Sequence, residues 1–142
     1  MEDKKRESTM ELFENEYVKI AIDESVPCLE WVGKKAFIPS TEFRLSEEKS
    51  LQFYREHKKK YPKMEWFVDA RHIDAIDPAD TQWVIDEILP QFAKAGLTKE
   101  AFVIPESALG IITVNHYKST SGHTIEIELF KTGRAAKNWL KE

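Results

Sequence analysis

Glu65-Trp-Phe-Val-Asp-Ala-Arg-His-Ile-Asp-Ala-Ile-Asp-Pro-Ala-Asp-Thr-Gln-Trp-Val84 is the stretch that decides how this chain folds. Its first six residues are a compact run with aromatic and β-branched side chains, which predicts a strand over 65–70. A short polar loop follows. Asp77-Pro78 then reads as a helix start, with Asp as N-cap and Pro at the first helical position. Asp80 adds a second acid where the helix dipole favours one. At 100° per residue, Val84, Ile85, Ile88, Leu89 and Phe92 share one face, and Gly96 suits the position just past the helix end. Trp83 points nearly opposite, with Glu87, Pro90 and Lys94. Pro90 lies inside the helical pattern, so a kink or an early break is expected there. Strand, loop and helix in this order form the repeating unit of a parallel α/β sheet.

Working outward, the same unit recurs. Upstream, Tyr17–Ile22 and Cys28–Val32 read as two strands joined by the five residues Asp23–Pro27. That link allows an antiparallel hairpin and is too short for a parallel crossover. A helix is expected from Pro39 to about Lys60, stopped by Tyr61-Pro62. Downstream, Lys99–Ile104 is a strand and Ser107 caps a short helix to about His116. Ser119–Gly122 reads as a loop, Thr124–Phe130 as a fifth strand, and 132–140 as a closing helix with Ala135, Ala136, Trp139 and Leu140 inward. The expected fold is α/β, β-β-α-β-α-β-α-β-α, with a mixed, mostly parallel five-stranded sheet. Residues 1–10 lack periodicity and read as a disordered tail, leaving a single domain over 11–142.

Composition narrows the function. The 142 residues suffice for one core, and the net charge of −4 speaks against a nucleic-acid surface. No apolar run approaches membrane-span length and the N-terminus lacks a signal-peptide core. The lone cysteine, Cys28, excludes an internal disulfide and a thiolate metal cluster, which suggests a reducing, cytoplasmic setting.

Beyond the tail, nearly the whole chain resembles the STAS (SpoIIAA-like) family. Asp69-Ala-Arg-His-Ile-Asp-Ala-Ile-Asp77-Pro-Ala-Asp80 is similar to the family's signature: an Asp at a strand end, an apolar turn, then a second Asp and a helix. Trp83, Ala101-Phe-Val103 and Ala136-Lys-Asn-Trp-Leu140 look like features of the small bacterial STAS-like proteins. The resemblance implies a SpoIIAA-like fold and a non-enzymatic regulatory domain that contacts a protein partner. It implies a contact face of Asp74, Asp77, Pro78, Asp80, Trp83 and Glu87. The partner is an unidentified protein or a second copy of the chain in a homodimer. In the family's sporulation regulators a serine after the second Asp is phosphorylated; Pro78 stands there and has no hydroxyl. Thr81, one turn on, falls on the buried side.

The residues carry little recognisable chemistry. The four carboxylates Asp69, Asp74, Asp77 and Asp80 could hold a hard cation, but their spacing matches no EF-hand and capping accounts for two of them. A receiver-type phosphoaspartate at Asp69 would need a helix between the first two strands. Asp74 or Asp77 could pair with His72 in acid–base work, giving a hydrolase or metal-dependent enzyme built on the Asp69–Asp80 loop, but no partnered nucleophile accompanies them. Cys28 is expected to be buried and inert. His57, His72, His116 and His123 are scattered, and the five glycines form no phosphate loop. No catalytic residue, metal or cofactor is assigned. The aromatics, 11% of the chain, leave room for a second reading, a pocket for a lipid or another small apolar ligand.

Overall fold

The computed structural model describes residues 8–121 and 123–142. Six strands form one sheet in the order of the chain. They are β1 (Thr9–Glu14), β2 (Val18–Asp23), β3 (Cys28–Gly33), β4 (Glu65–Asp69), β5 (Lys99–Val103) and β6 (Glu126–Phe130). The first three pair antiparallel and the last four parallel, so β3 is the switch between the two. The hairpin and the parallel crossovers are thus as expected. The strand count is corrected from five to six, because Thr9 and Met10 begin a strand. Of the rest of the expected tail, Ser8 lies in a turn and 1–7 fall outside the described residues.

Four helices are present among the described residues: α1 (Ser40–His57), α2, α3 (Ala108–Ser121) and α4 (Gly133–Lys141). α2 is one rod in three stretches, Pro78–Trp83, a π-helical Val84–Ile88, and Leu89–Lys94. The π turn is the answer to Pro90. Proline has no N–H to donate and its ring crowds the carbonyl four residues back, and widening the preceding turn relieves both. α3 runs five residues past His116, so Ser119–Ser121 are helical and not loop; Gly122 lies outside the described residues.

The sheet has two unequal sides. Val18, Ile20, Ile22, Leu29, Trp31, Trp66, Val68, Phe102 and Ile127 lie in the large core with α1, α2 and α3. Right-handed crossovers taken steadily in one direction put all three helices on that side. The alternate residues Cys28, Phe67, Ala101 and Val103 form a smaller core with Ala136 and Leu140 of α4. Ala135, expected inward, is exposed. Among the described residues, the nine-residue α4 is the helix on this side, and it packs on β4, β5 and β6.

The edges differ. β1 carries an irregularity in its pairing between Glu11 and Phe13, and β6 turns Glu126 and Glu128 to solvent.

α3 lies very close to the loop after β4. A Cβ on Gly110 would sit 2.6 Å from the Ile73 carbonyl oxygen and 2.6 Å from Pro105 Cβ. Gly110→Ala is therefore expected to cost about 2 kcal/mol in urea unfolding, since the obstructing atom is backbone. An unchanged midpoint would show that α3 does not need this approach.

Candidate functional site

The loop 69–80 uses its four acids for separate structural tasks. Asp69 is buried at the strand end and accepts from Arg71, Nε at 3.0 Å and Nη2 at 2.8 Å. Asp74 is exposed. Asp77 caps α2, its Oδ1 accepting from the Ala79 N–H at 2.8 Å. Asp80 is 1% exposed and accepts from Ser40 Oγ and from Arg44 Nε, both at 2.7 Å. No hydrogen bond joins Asp69, His72 and Asp77, and among the described residues no group of three or more metal-ligating side chains converges. The four histidines remain in separate segments.

The members of the expected contact face differ in exposure. Asp80 is an internal tie between α2 and α1 and is not available to a partner. Trp83 is half-buried, with the Arg44 guanidinium 4.8 Å from its ring centroid. A helical wheel divides a helix into an inner and an outer half. In a layered fold a third sector faces the neighbouring helix, and Trp83 falls there against α1. Asp74, Asp77, Pro78 and Glu87 are exposed, and Thr81 is buried as expected.

The side chains that do converge lie one layer deeper. A cavity of about 80 Å³ sits between the sheet and α1–α3. Trp31, Phe43, Trp66, Phe102 and Tyr117 contribute rings to its wall, and Val68, Ala70, Ile73 and Val84 contribute aliphatic surface. Ile76 and Thr113 are its partly exposed lining residues, so the mouth opens between the 69–80 loop and α3.

Two polar groups interrupt this apolar wall, and a third lies within it, out of reach of the space. Glu47 of α1 is 5% exposed and makes no hydrogen bond. Burial alone pushes its carboxyl up to about 8. Glu100 of β5 is 2% exposed and accepts from the Tyr117 hydroxyl at 2.7 Å. Burial holds Glu100 well above the ordinary range; the Tyr117 hydrogen bond pulls it down in part and the Glu47 charge pushes it up. The Tyr117 hydroxyl is driven up by burial and then by Glu100. The third group is the Trp66 indole N–H, buried without a partner, although its ring stacks on Phe92 at 4.1 Å. The other indole in the wall, Trp31, donates to Ser46 at 2.9 Å. Buried polar groups normally find partners, so a carboxyl without one in an apolar cavity wall is notable.

Both glutamates leave a trace in the sequence. Glu47 falls four residues after Phe43 and four before Leu51, on the apolar stripe of α1 that also holds Tyr54. Glu100 is two residues from Phe102 and so shares its face of β5. An acid in register with the apolar positions was the available signal.

On the other side of the sheet, Lys137 of α4 reaches Asp23 Oδ2 at 2.7 Å and also bonds Glu30. Burial pulls the Lys137 ammonium down, but Glu30 and Asp23 outweigh it and the net direction is up. Burial likewise pushes Asp23 up, and bonds from Lys137 and Ser25 outweigh it, holding the carboxyl below its ordinary value. Cys28 lies beneath this cluster, its thiol pushed well up by burial and then by Glu30, as expected of an inert cysteine.

Neither protein-family models, nor curated proteins, nor solved structures provide a match to this chain. No described helix is long and apolar enough to cross a membrane.

Proposed function

We propose that the chain is a small-molecule-binding domain of STAS-like architecture, acting in the cytoplasm without catalysis of its own. The observation that carries this reading is the ring-lined cavity, whose wall includes Glu47, a buried carboxyl with no hydrogen-bond partner in the protein. A ligand supplies what the wall lacks. Apolar walls with a few convergent polar groups are the usual make-up of small-ligand sites. At about 80 Å³ the space exceeds the roughly 10–15 Å³ one water needs and falls short of the roughly 150 Å³ of an engineered cavity that holds benzene. That size suits a compact ligand, or one end of a longer one reaching out past Ile76 and Thr113.

Native mass spectrometry of protein isolated from its own cells tests this. A bound mass is expected on the wild-type chain and absent from Ala70→Leu, which fills the cavity. The bare chain mass alone in both would overturn the reading.

The family resemblance supports a second reading, a partner-binding or self-associating face over 74–87. Phe37 favours it: the ring is 67% exposed and its backbone bridges to Ala75, beside the exposed Asp74, Asp77 and Pro78. Phe37→Ser with Glu87→Lys is expected to leave the fold intact and abolish association in sedimentation velocity. Unchanged association would count against this face.

A further inference from the structure

We infer that the ligand of this cavity is a small organic cation, an ammonium group on a compact apolar body, seated among the rings with Glu47 as its counter-ion. The inference rests on the cavity being a ligand site, as proposed above.

Three features of the wall point the same way. The first is charge. Two carboxyl groups, Glu47 and Glu100, reach one cavity from different elements, α1 and β5. The lining holds no lysine, arginine or histidine. A buried carboxylate without a positive partner is among the costliest groups in a protein interior. Burial therefore keeps Glu47 protonated at pH 7, and a positive group entering the site is what would let it ionise there.

The second feature is the rings. Trp31, Phe43, Trp66, Phe102 and Tyr117 come from β3, α1, β4, β5 and α3, so aromatic groups enclose the space from several sides. Aromatic faces attract cations, most strongly where water is excluded, and cages of this composition suit substituted ammonium groups. A purely apolar ligand would use the rings and leave both acids without a role. An anionic ligand would supply no counter-ion to either acid and would oppose their ionisation.

The third is the division of labour between the acids. Glu100 already accepts from Tyr117 at 2.7 Å, while Glu47 bonds nothing. Glu47 is thus the free acceptor. Its proton is the one that leaves when the cation arrives: Glu47 gives a proton to solvent, and its carboxylate pairs with the ammonium. The titratable groups facing it are Glu100 from β5 and Tyr117 from α3; α2 presents only Thr81 and Val84.

The test compares isobutylammonium with isobutanol, two molecules of equal heavy-atom count that differ in charge. Binding is followed at pH 7 by fluorescence of the wall tryptophans and by calorimetry in two buffers of different ionisation enthalpy. The expected result is a preference for the cation of about tenfold or more. About one proton should be released per cation bound, because Glu47 enters the complex ionised. Glu47→Gln should reduce the preference to near unity and abolish the proton release, with isobutanol binding retained. Isobutanol binding as tightly as the cation, without proton release, would overturn the cation and leave the small-ligand reading standing. Binding of neither molecule would overturn both. An undiminished cation preference in Glu47→Gln would refute the role of Glu47, and Glu100→Gln would then show whether the second acid is the counter-ion.

Discussion

Glu47→Met is expected to stabilise the protein by about 3 kcal/mol at pH 7 and by about 5 kcal/mol above pH 8. In the unfolded chain this carboxyl ionises near 4.5, while in the folded chain burial raises it to about 8. Each pH unit between those values corresponds to about 1.4 kcal/mol. Below pH 4.5 both states carry the proton and the burial costs nothing through this route. Between the two values the unfolded state loses its proton first, so stability falls as pH rises. Beyond the upper value the penalty is complete. Glu100 is shifted in the same direction and adds to the fall. The wild-type chain should therefore be more stable at pH 5 than at pH 8. Methionine, of similar volume, keeps the packing and removes the charge. Urea unfolding at both pH values decides the point. A variant with an unchanged midpoint at pH 8, or a wild type with no decline from pH 5, would refute it. The same substitution should remove cation binding, so stability and ligand affinity would move in opposite directions at one residue.

Lys137→Met should have an effect of similar size and opposite sign, a loss of about 3 kcal/mol at pH 7. The side chain is three-quarters buried and is shared by Asp23 and Glu30, both largely buried themselves. Without the ammonium, two carboxylates face each other over the apolar ring of Phe67, against which Lys137 also packs at 5.0 Å. The pH dependence separates this charge effect from lost packing. Asp23 is held below its ordinary 3.8, so the stability it lends is present above that value and lost as pH falls through the folded one. The gap between wild type and variant should accordingly shrink as pH falls through the folded Asp23 value, where that carboxylate takes up its proton. A gap constant from pH 7 down through that value would assign the loss to packing instead.

The sequence carried the fold further than it carried the site. Patterns of period two and 3.6, the five-residue link before Cys28 and the Asp77-Pro78 start were local signals, and local signals place elements. β1 escaped because its irregular pairing near Glu11 interrupts the alternation that marks a strand, and a charged, aperiodic segment adjoins it. Asp80 was read from its helix position, which explains an acid in a first turn equally well without Ser40 and Arg44. Those partners lie 40 and 36 residues away, and nothing nearby announces them. Trp83 packs against α1, one of the two placements open to it, and a helical wheel alone does not choose between them because it takes no account of the helix alongside. Glu47 and Glu100 were the opposite case. Both break an apolar register that can be counted along the chain, every fourth residue on α1 and every second on β5.

The two ends of the sheet bear on how copies of this chain can meet. Open strand edges invite further pairing, and proteins guard them with charge and irregularity. β1 has its displaced register at Glu11, and β6 holds Glu126 and Glu128 towards water. A second molecule extending the ladder at β6 would bring glutamates against its own side chains, and at β1 it would meet a strand that cannot be matched in step. Both features count against fibrous, end-to-end growth by strand addition at these edges.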